Sequence, residues 1–308
     1  MKYLMMLFAL LALSIPVAAQ ENNEEDMQPI TLYFAATVGE ESAVCGESYA
    51  GVSADEATIL FEDFRFYVSN IQLITEDGEL VPLALEQDEL WQYETVALLD
   101  FEDCNTEALN GEVRGIAPAG DYVGVQFDMG VPFELNHQDV TSAPSPLNIA
   151  AMFWSWQGGY KFIRVDLVTD AEVDTAWNIH LGSTGCDSPA SVIAPEDLCT
   201  RPNIVTVTFD EFDFESNVIV ADLAGLLEAV PLYENTLMPP GCMSGVDDPD
   251  CPALFSGFGL EDGSCPDGLC ASQTFFRVDD IENVSLVERS EMMMMPMGEE
   301  DSEDGHSG

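Results

Sequence analysis

The sequence predicts an all-β protein, a single β-sandwich-like domain with long disulfide-stapled loops. Three observations carry that expectation. Short runs of β-branched and aromatic residues recur along the chain, punctuated by Gly, Pro and Asp turns. Helical periodicity is weak and brief wherever it occurs. Eight cysteines lie in loop-like sequence behind an N-terminal export signal, the setting in which disulfides form.

Taken in order, Lys2 precedes an apolar run that ends in Val17-x-Ala19, so residues 1–19 read as a signal peptide. The run is too short for a membrane span, and no cysteine follows the cleavage point. The expected product carries no membrane anchor and is periplasmic or secreted. The β domain is expected over residues 20–290. Thr31–Val38 is its first strand. Asp63–Ile74 is the second, with Phe64, Phe66 and Val68 alternating before the run becomes continuously apolar. Tyr122–Phe127, Tyr160–Val168, Asn203–Phe209 and Asn217–Ala221 follow. Asp222–Val230 is a short helix candidate, with Gly225 counting against it. No repeat or linker divides these roughly 270 residues, a large but allowed size for one all-β domain. Residues 291–308 hold Met292–Met295, Met297, an acidic run and His306, and are expected as a flexible Met-rich acidic tail. Its thioethers are soft donors, suited at most to loose collection of Cu(I).

Charge narrows the partners. With 57 Asp and Glu against 8 Lys and Arg, the net charge is −49, which disfavours nucleic acid and anionic membranes. A hydrated, salt-adapted surface accounts for most of these acids. Disorder does not, because 47% hydrophobic residues suffice for a packed core. Eight cysteines allow 105 pairings. Short-range closure favours Cys265 with Cys270, Cys242 with Cys251 and Cys186 with Cys199, leaving Cys45 with Cys104. The absence of a CxxC pair argues against zinc.

Chemistry concentrates between Asn136 and Cys186, which holds two of the three histidines, His137 and His180, and three of the four tryptophans, Trp154, Trp156 and Trp177. Imidazole binds copper and zinc through one ring nitrogen while an acceptor orients the other. His137 and His180 are therefore the candidate metal ligands, with Asp139 a candidate orienter of His137. Each histidine alone reads as a hydrogen-bonded structural residue sooner than as a ligand, the two together read equally either way, and the Trp-Ser-Trp run alone reads as core packing. The acidic loops Asp247–Asp250, Glu261–Gly263 and Asp267–Gly268 are weak Ca²⁺ candidates, none with an EF-hand pattern. Gly182-Ser-Thr-Gly185 is not a nucleophile elbow, and no phosphate loop is present, so an enzyme is not expected.

The ordered set Phe64-Arg-Phe-Tyr-Val-Ser-Asn-Ile71, Leu98-Leu-Asp-Phe-Glu102, Gly130-Val-Pro-Phe133 with Asn136-His137, Ser145-Pro-Leu-Asn148, Met152–Phe162 and His180–Cys186 resembles the MbnP-like family. These exported proteins of methanobactin copper systems are also called metallo-mystery pair four-Cys motif proteins. Cys186, Cys199, Cys242 and Cys251 look like the four-Cys motif. The resemblance runs from about Thr31 to Phe276. It implies a non-enzymatic, periplasmic copper-binding protein with a role in copper homeostasis, holding Cu(I) or Cu(II). It further implies a diheme MauG-like (MbnH-like) peroxidase partner that oxidises a tryptophan to kynurenine at or near a two-histidine copper site. Carried over residue by residue, the ligands are His137 and His180, and the oxidised residue is Trp154 or Trp156. The competing expectation is an acidic, disulfide-stabilised structural or interaction protein without metal.

Overall fold

A computed structural model describes residues 26–104, 108–172, 175–236 and 239–291. The expected signal peptide and the Met292–Met297 and His306 tail lie outside the described residues. The principal strands are β1 (Met27–Val38), β2 (Ala57–Thr75), β3 (Val96–Asp100), β4 (Glu112–Pro118), β5 (Tyr122–Met129), β6 (Phe153–Ser155), β7 (Gly159–Tyr160), β8 (Ile163–Thr169), β9 (Ala176–Leu181), β10 (Val205–Phe209), β11 (Asn217–Asp222), β12 (Gly241–Cys242) and β13 (Phe276–Asp280). Helices are short: α1 (Phe133–Asn136), α2 (Leu223–Leu227) and α3 (Pro252–Gly257). The expected helix forms as α2, where Asp222 caps the first turn by accepting from Ala224 N at 2.9 Å.

Two sheets face each other. The smaller runs β13-β11-β1-β4, with β1 and β11 parallel; the larger runs β10-β5-β2-β8-β9-β12. Inward residues of both sheets interdigitate in one core. Phe34 of β1 meets Phe66 of β2 and Phe127 of β5 edge-on, at centroid distances of 6.2 and 5.7 Å. Trp177 of β9 is buried in this same core, its indole donating to Glu234 O at 3.4 Å. The sandwich is therefore the expected all-β fold, and the four disulfides pair as short-range closure favoured.

A second apolar cluster covers part of the larger sheet's outer face. The segment following β5 crosses that face, so Leu135, Met152, Tyr160 and Phe162 pack with Tyr67 of β2 and Leu98 of β3. Tyr67 Oη donates to Pro146 O at 3.0 Å, and the Tyr160 hydroxyl donates to Leu147 O. The covering is what places the β6–β7 hairpin over β8 and β9.

Beside this cluster the outer face is charged. Strand register aligns Asp100, Arg65, Arg164 and His180 in one row across β3, β2, β8 and β9. Asp63 bridges the arginines, pairing with Arg65 and lying 3.2 Å from Arg164 Nη1. Asp100 is buried, and that burial pushes its carboxyl up to about 7 against the pull of the Glu102 amide and Arg65. A carboxyl raised on folding binds its proton more tightly in the native state. Its stabilising contribution is thus present at low pH and is lost as pH rises from about 4 to about 7. Asp100→Asn is expected to melt higher than the parent at pH 8, by at most roughly 4 kcal/mol, with the gap closing near pH 4. Thermal melts at the two pH values check this; a gap independent of pH would refute it.

Candidate metal centre

His180 lies at the outer edge of this row, near the end of β9. Its Nε2 is 2.7 Å from Asp166 Oδ1 on the neighbouring β8. Burial alone would raise the Asp166 carboxyl, but hydrogen bonds from His180 and Arg164 hold it well below the usual carboxylate range. The carboxylate therefore takes the Nε2–H, leaving Nδ1 as the lone-pair nitrogen. Burial lowers the imidazole's own pKa, and the nearby Lys161 ammonium adds to this, outweighing Asp166. The ring is neutral at pH 7, the form that binds metal.

The strand beside it brings a thioether. β9 and β12 run parallel, pairing Asn178 with Gly241 and Ile179 with Cys242. β12 ends there and Met243 follows it, one residue before Ser244, whose hydroxyl donates to the His180 carbonyl. Because Ile179 is fully buried, alternation along β9 turns His180 to the outer face, while Met243, past the end of β12, is half-buried. Ser244 holds the two chains together past the strand end, accepting from Gly182 N at 2.9 Å and donating to His180 O at 2.8 Å. Met243 N donates to Asp248 Oδ2 at 3.1 Å.

Trp154 completes this corner. The β6–β7 hairpin lays its indole against Gly182, two residues beyond His180 on the same face. A Cβ at position 182 would meet Trp154 Cζ3 and Tyr160 O, each at 2.6 Å. Trp154, Met243, Ser183 and Cys186 line a recess of about 440 Å³. Gly182→Ala is expected to lift the indole off the strand, quenching or shifting tryptophan fluorescence while the core melts nearly as before. Unchanged fluorescence would show that the hairpin does not depend on this seat.

His137 has different surroundings. It follows α1, and its Nδ1 donates to Trp156 O at 3.0 Å. Its Nε2 lies 3.3 Å from Asn136 Nδ2 and 3.6 Å from Cys199 Sγ. Burial lowers its pKa, partly opposed by the Trp156 carbonyl. Asn136, itself buried, accepts from Tyr160 N at 2.8 Å, and the hairpin approaches it so closely that position 159 must be glycine, at φ +74°. Among the described residues, the His137, Cys186 and Cys199 ligand atoms lie within 4.8 Å of one another, but both sulfurs are tied in a disulfide. No hydrogen bond or ring contact joins His137 to His180 among the described residues.

The MbnP family model matches residues 27–244, a span that takes in His137, Trp154, His180 and Met243. The chain belongs to the MbnP family. A solved structure, MbnP from Methylosinus trichosporium, superposes with a TM-score of 0.74 at 31% sequence identity, covering 83% of this chain and 99% of that one. No curated protein matches. Membership places the chain among methanobactin-associated, copper-related proteins.

Several expectations about this MbnP-family site are sharpened or corrected. Trp154 and Trp156 part company, because β6 ends at Ser155 and Trp156 sits in the turn with its ring 36% exposed. Asp139 does not orient His137; it accepts from Thr141 N and Oγ1 at 2.9 and 2.8 Å, and the Trp156 carbonyl does the orienting. The Ca²⁺ expectation finds no support. Among the described residues no group of carboxylates converges, and Asp248 and Asp250 are spent on amides and the Thr236 hydroxyl of their own loops. Ser183 donates to Pro202 O at 3.0 Å and accepts from Asn136 Nδ2 at 3.4 Å. Met243 was not singled out as a candidate. Its sequence signal was a thioether directly after Cys242, and only the parallel pairing of β9 with β12 reveals its neighbour. Among the described residues no helix is long and apolar enough to cross a membrane.

Proposed function

We propose that this protein is an exported, non-enzymatic copper carrier of the periplasm that holds Cu(I) between His180 Nδ1 and Met243 Sδ, beside Trp154. The observation that carries the reading is an imidazole whose Nε2 is anchored on Asp166, two residues before the Gly182 on which Trp154 rests, with Trp154 and Met243 lining one recess. Imidazole and thioether together suit soft Cu(I) better than Zn²⁺ or Ca²⁺. The anchored carboxylate–imidazole pair is the arrangement that orients metal-bound histidines generally. His137, expected from sequence as the second ligand, takes a positioning role in this reading, holding the Trp-Ser-Trp turn through the Trp156 carbonyl.

The same reading assigns Trp154, rather than Trp156, as the residue that a diheme MauG-like peroxidase converts to kynurenine, since its ring lies in the recess with Met243. The test is co-expression with such a peroxidase, followed by copper analysis and peptide mass mapping of Trp154→Phe and Trp156→Phe. The modification should vanish only in Trp154→Phe. Modification persisting there and vanishing in Trp156→Phe would overturn the assignment, and copper-free protein from an export-competent host would overturn the carrier function.

A further inference from the structure

We propose that Cys186, Cys199 and His137 form a second metal site, gated by the redox state of their disulfide. When the bridge is opened by a dithiol reductant, the two thiolates and His137 Nε2 bind one thiophilic cation. This inference does not rest on copper at His180.

The geometry is nearly assembled already. His137 Nε2 is 3.6 Å from Cys199 Sγ, and the three ligand atoms lie within 4.8 Å of one another. A tetrahedral cation with ordinary metal–sulfur and metal–nitrogen bonds spaces its ligand atoms about 3.5–3.8 Å apart. Breaking the S–S bond lets the sulfurs part to that separation, and the imidazole need barely move. The ring is already fixed in a ligand's posture. Its Nδ1–H is given to the Trp156 carbonyl, so Nε2 carries the lone pair, which faces Cys199 Sγ and the Asn136 amide 3.3 Å away, a neighbour that a bound cation would displace. All three residues are buried, at 8, 9 and 7% exposure, which favours a compact site over scattered thiols.

The backbone should keep this arrangement when the covalent bond is gone. Thr184 and Arg201, just outside the two cysteines, exchange backbone hydrogen bonds at 2.8 and 3.1 Å. Gln157 reaches from the hairpin turn, donating through Nε2 to Cys186 O at 2.9 Å and through its backbone N–H to Ser191 O at 3.2 Å. Reduction therefore leaves both cysteine Cα atoms, 4.1 Å apart in the oxidised chain, held from outside the bridge. Access comes through the recess, which Cys186 lines. Among the described residues this is the only place where three histidine, cysteine or acidic groups converge.

The chemistry balances as ordinary thiol–disulfide exchange. The reductant's thiolate attacks one sulfur, a mixed disulfide forms, and the reductant's second thiol resolves it. Two electrons and two protons pass to Cys186 and Cys199, and the reductant leaves as its own disulfide. Metal binding then displaces the thiol protons into solvent.

The experiment titrates Co²⁺ into the full chain under anaerobic conditions, before and after stepwise reduction with a dithiol. Alkylation and peptide mapping report which bridge is open at each step. Thiolate-to-cobalt charge-transfer absorption should appear in step with opening of Cys186–Cys199, at one cobalt per chain. It should survive in His180→Ala and be absent from the Cys186→Ser/Cys199→Ser double variant. His137→Gln should keep the thiolate band but weaken cobalt binding about tenfold or more. An open Cys186–Cys199 bridge in the parent chain without the band would overturn the proposal even if no variant folds. So would a band that persists in the double variant, or an unchanged affinity in His137→Gln. Failure of copper binding at His180 would leave each of these outcomes readable.

Discussion

His180→Ala is expected to abolish tight Cu(I) binding, whereas His137→Ala is expected to leave copper stoichiometry near that of the parent chain. The contrast follows from what each ring already does. His180 stands on the outer face with Nε2 held 2.7 Å from Asp166, and its carbonyl accepts from the hydroxyl of Ser244, the residue after Met243. His137 directs its free nitrogen at Asn136 and the Cys186–Cys199 bridge. Met243→Leu keeps the volume of the side chain and removes only the sulfur, so a loss of Cu(I) affinity there isolates the thioether from packing. Asp166→Asn should weaken Cu(I) about 10–100-fold by loosening the ring that carries the ligand nitrogen. Competition against a Cu(I)-specific chelator, with X-ray absorption to detect a copper–sulfur bond, measures all four. Copper retained in His180→Ala and lost in His137→Ala would refute the assignment and return the site to the second imidazole. Copper bound without any sulfur neighbour would keep His180 and exclude Met243.

Much of this architecture was legible from sequence because it rests on local signals. Period-two runs such as Phe64, Phe66 and Val68 announced β2, and the spacing of cysteines within loops announced three of the four bridges. The strands that escaped have weaker local signals. β4 reads Glu-Val-Arg-Gly-Ile-Ala-Pro, with charge, glycine and proline in seven residues, and forms because β1 offers it a long antiparallel edge. β9 alternates buried Trp177, Ile179 and Leu181 with Asn178 and His180, and its meaning depends on β8 beside it. The site divides in the same way. The importance of His180 and the Trp-Ser-Trp run could be read from composition, because so few histidines and tryptophans are present. That β12 pairs with the strand carrying His180, and that His137 meets a disulfide, are consequences of long-range register that no spacing along the chain encodes. In a single extended strand Trp154 and Trp156 would be equivalent. The turn at Trp156, forced by the return to Gly159, is what distinguishes them.

The second large effect concerns the core beneath the site. Phe66→Ala is expected to destabilise the protein by about 3–5 kcal/mol, read from the denaturant midpoint with all disulfides intact. Phe66 is fully buried, and its ring lies 5.6–6.2 Å from those of Phe34, Phe64, Phe101, Phe275 and Phe276. These neighbours come from both sheets, so truncation opens a cavity at the interface that joins them rather than at its margin. Three of the rings meet Phe66 edge to face, Phe101 stacks on it and Phe64 is tilted against it, so they cannot all turn into one void, which keeps the cost at the upper end of the range for core truncations. Copper binding should nevertheless survive wherever the variant is folded. The neighbouring residues on β2, Arg65 and Tyr67, face outward and are held by Asp63 and by the outer cluster, neither of which Phe66 touches. Stability and metal affinity should therefore separate: Phe66→Ala lowers the first and spares the second, while Met243→Leu does the reverse. A folded Phe66→Ala protein that had lost its copper would mean that the two faces of β2 are coupled, and that the sandwich core sets the geometry of the proposed copper site on the outer face.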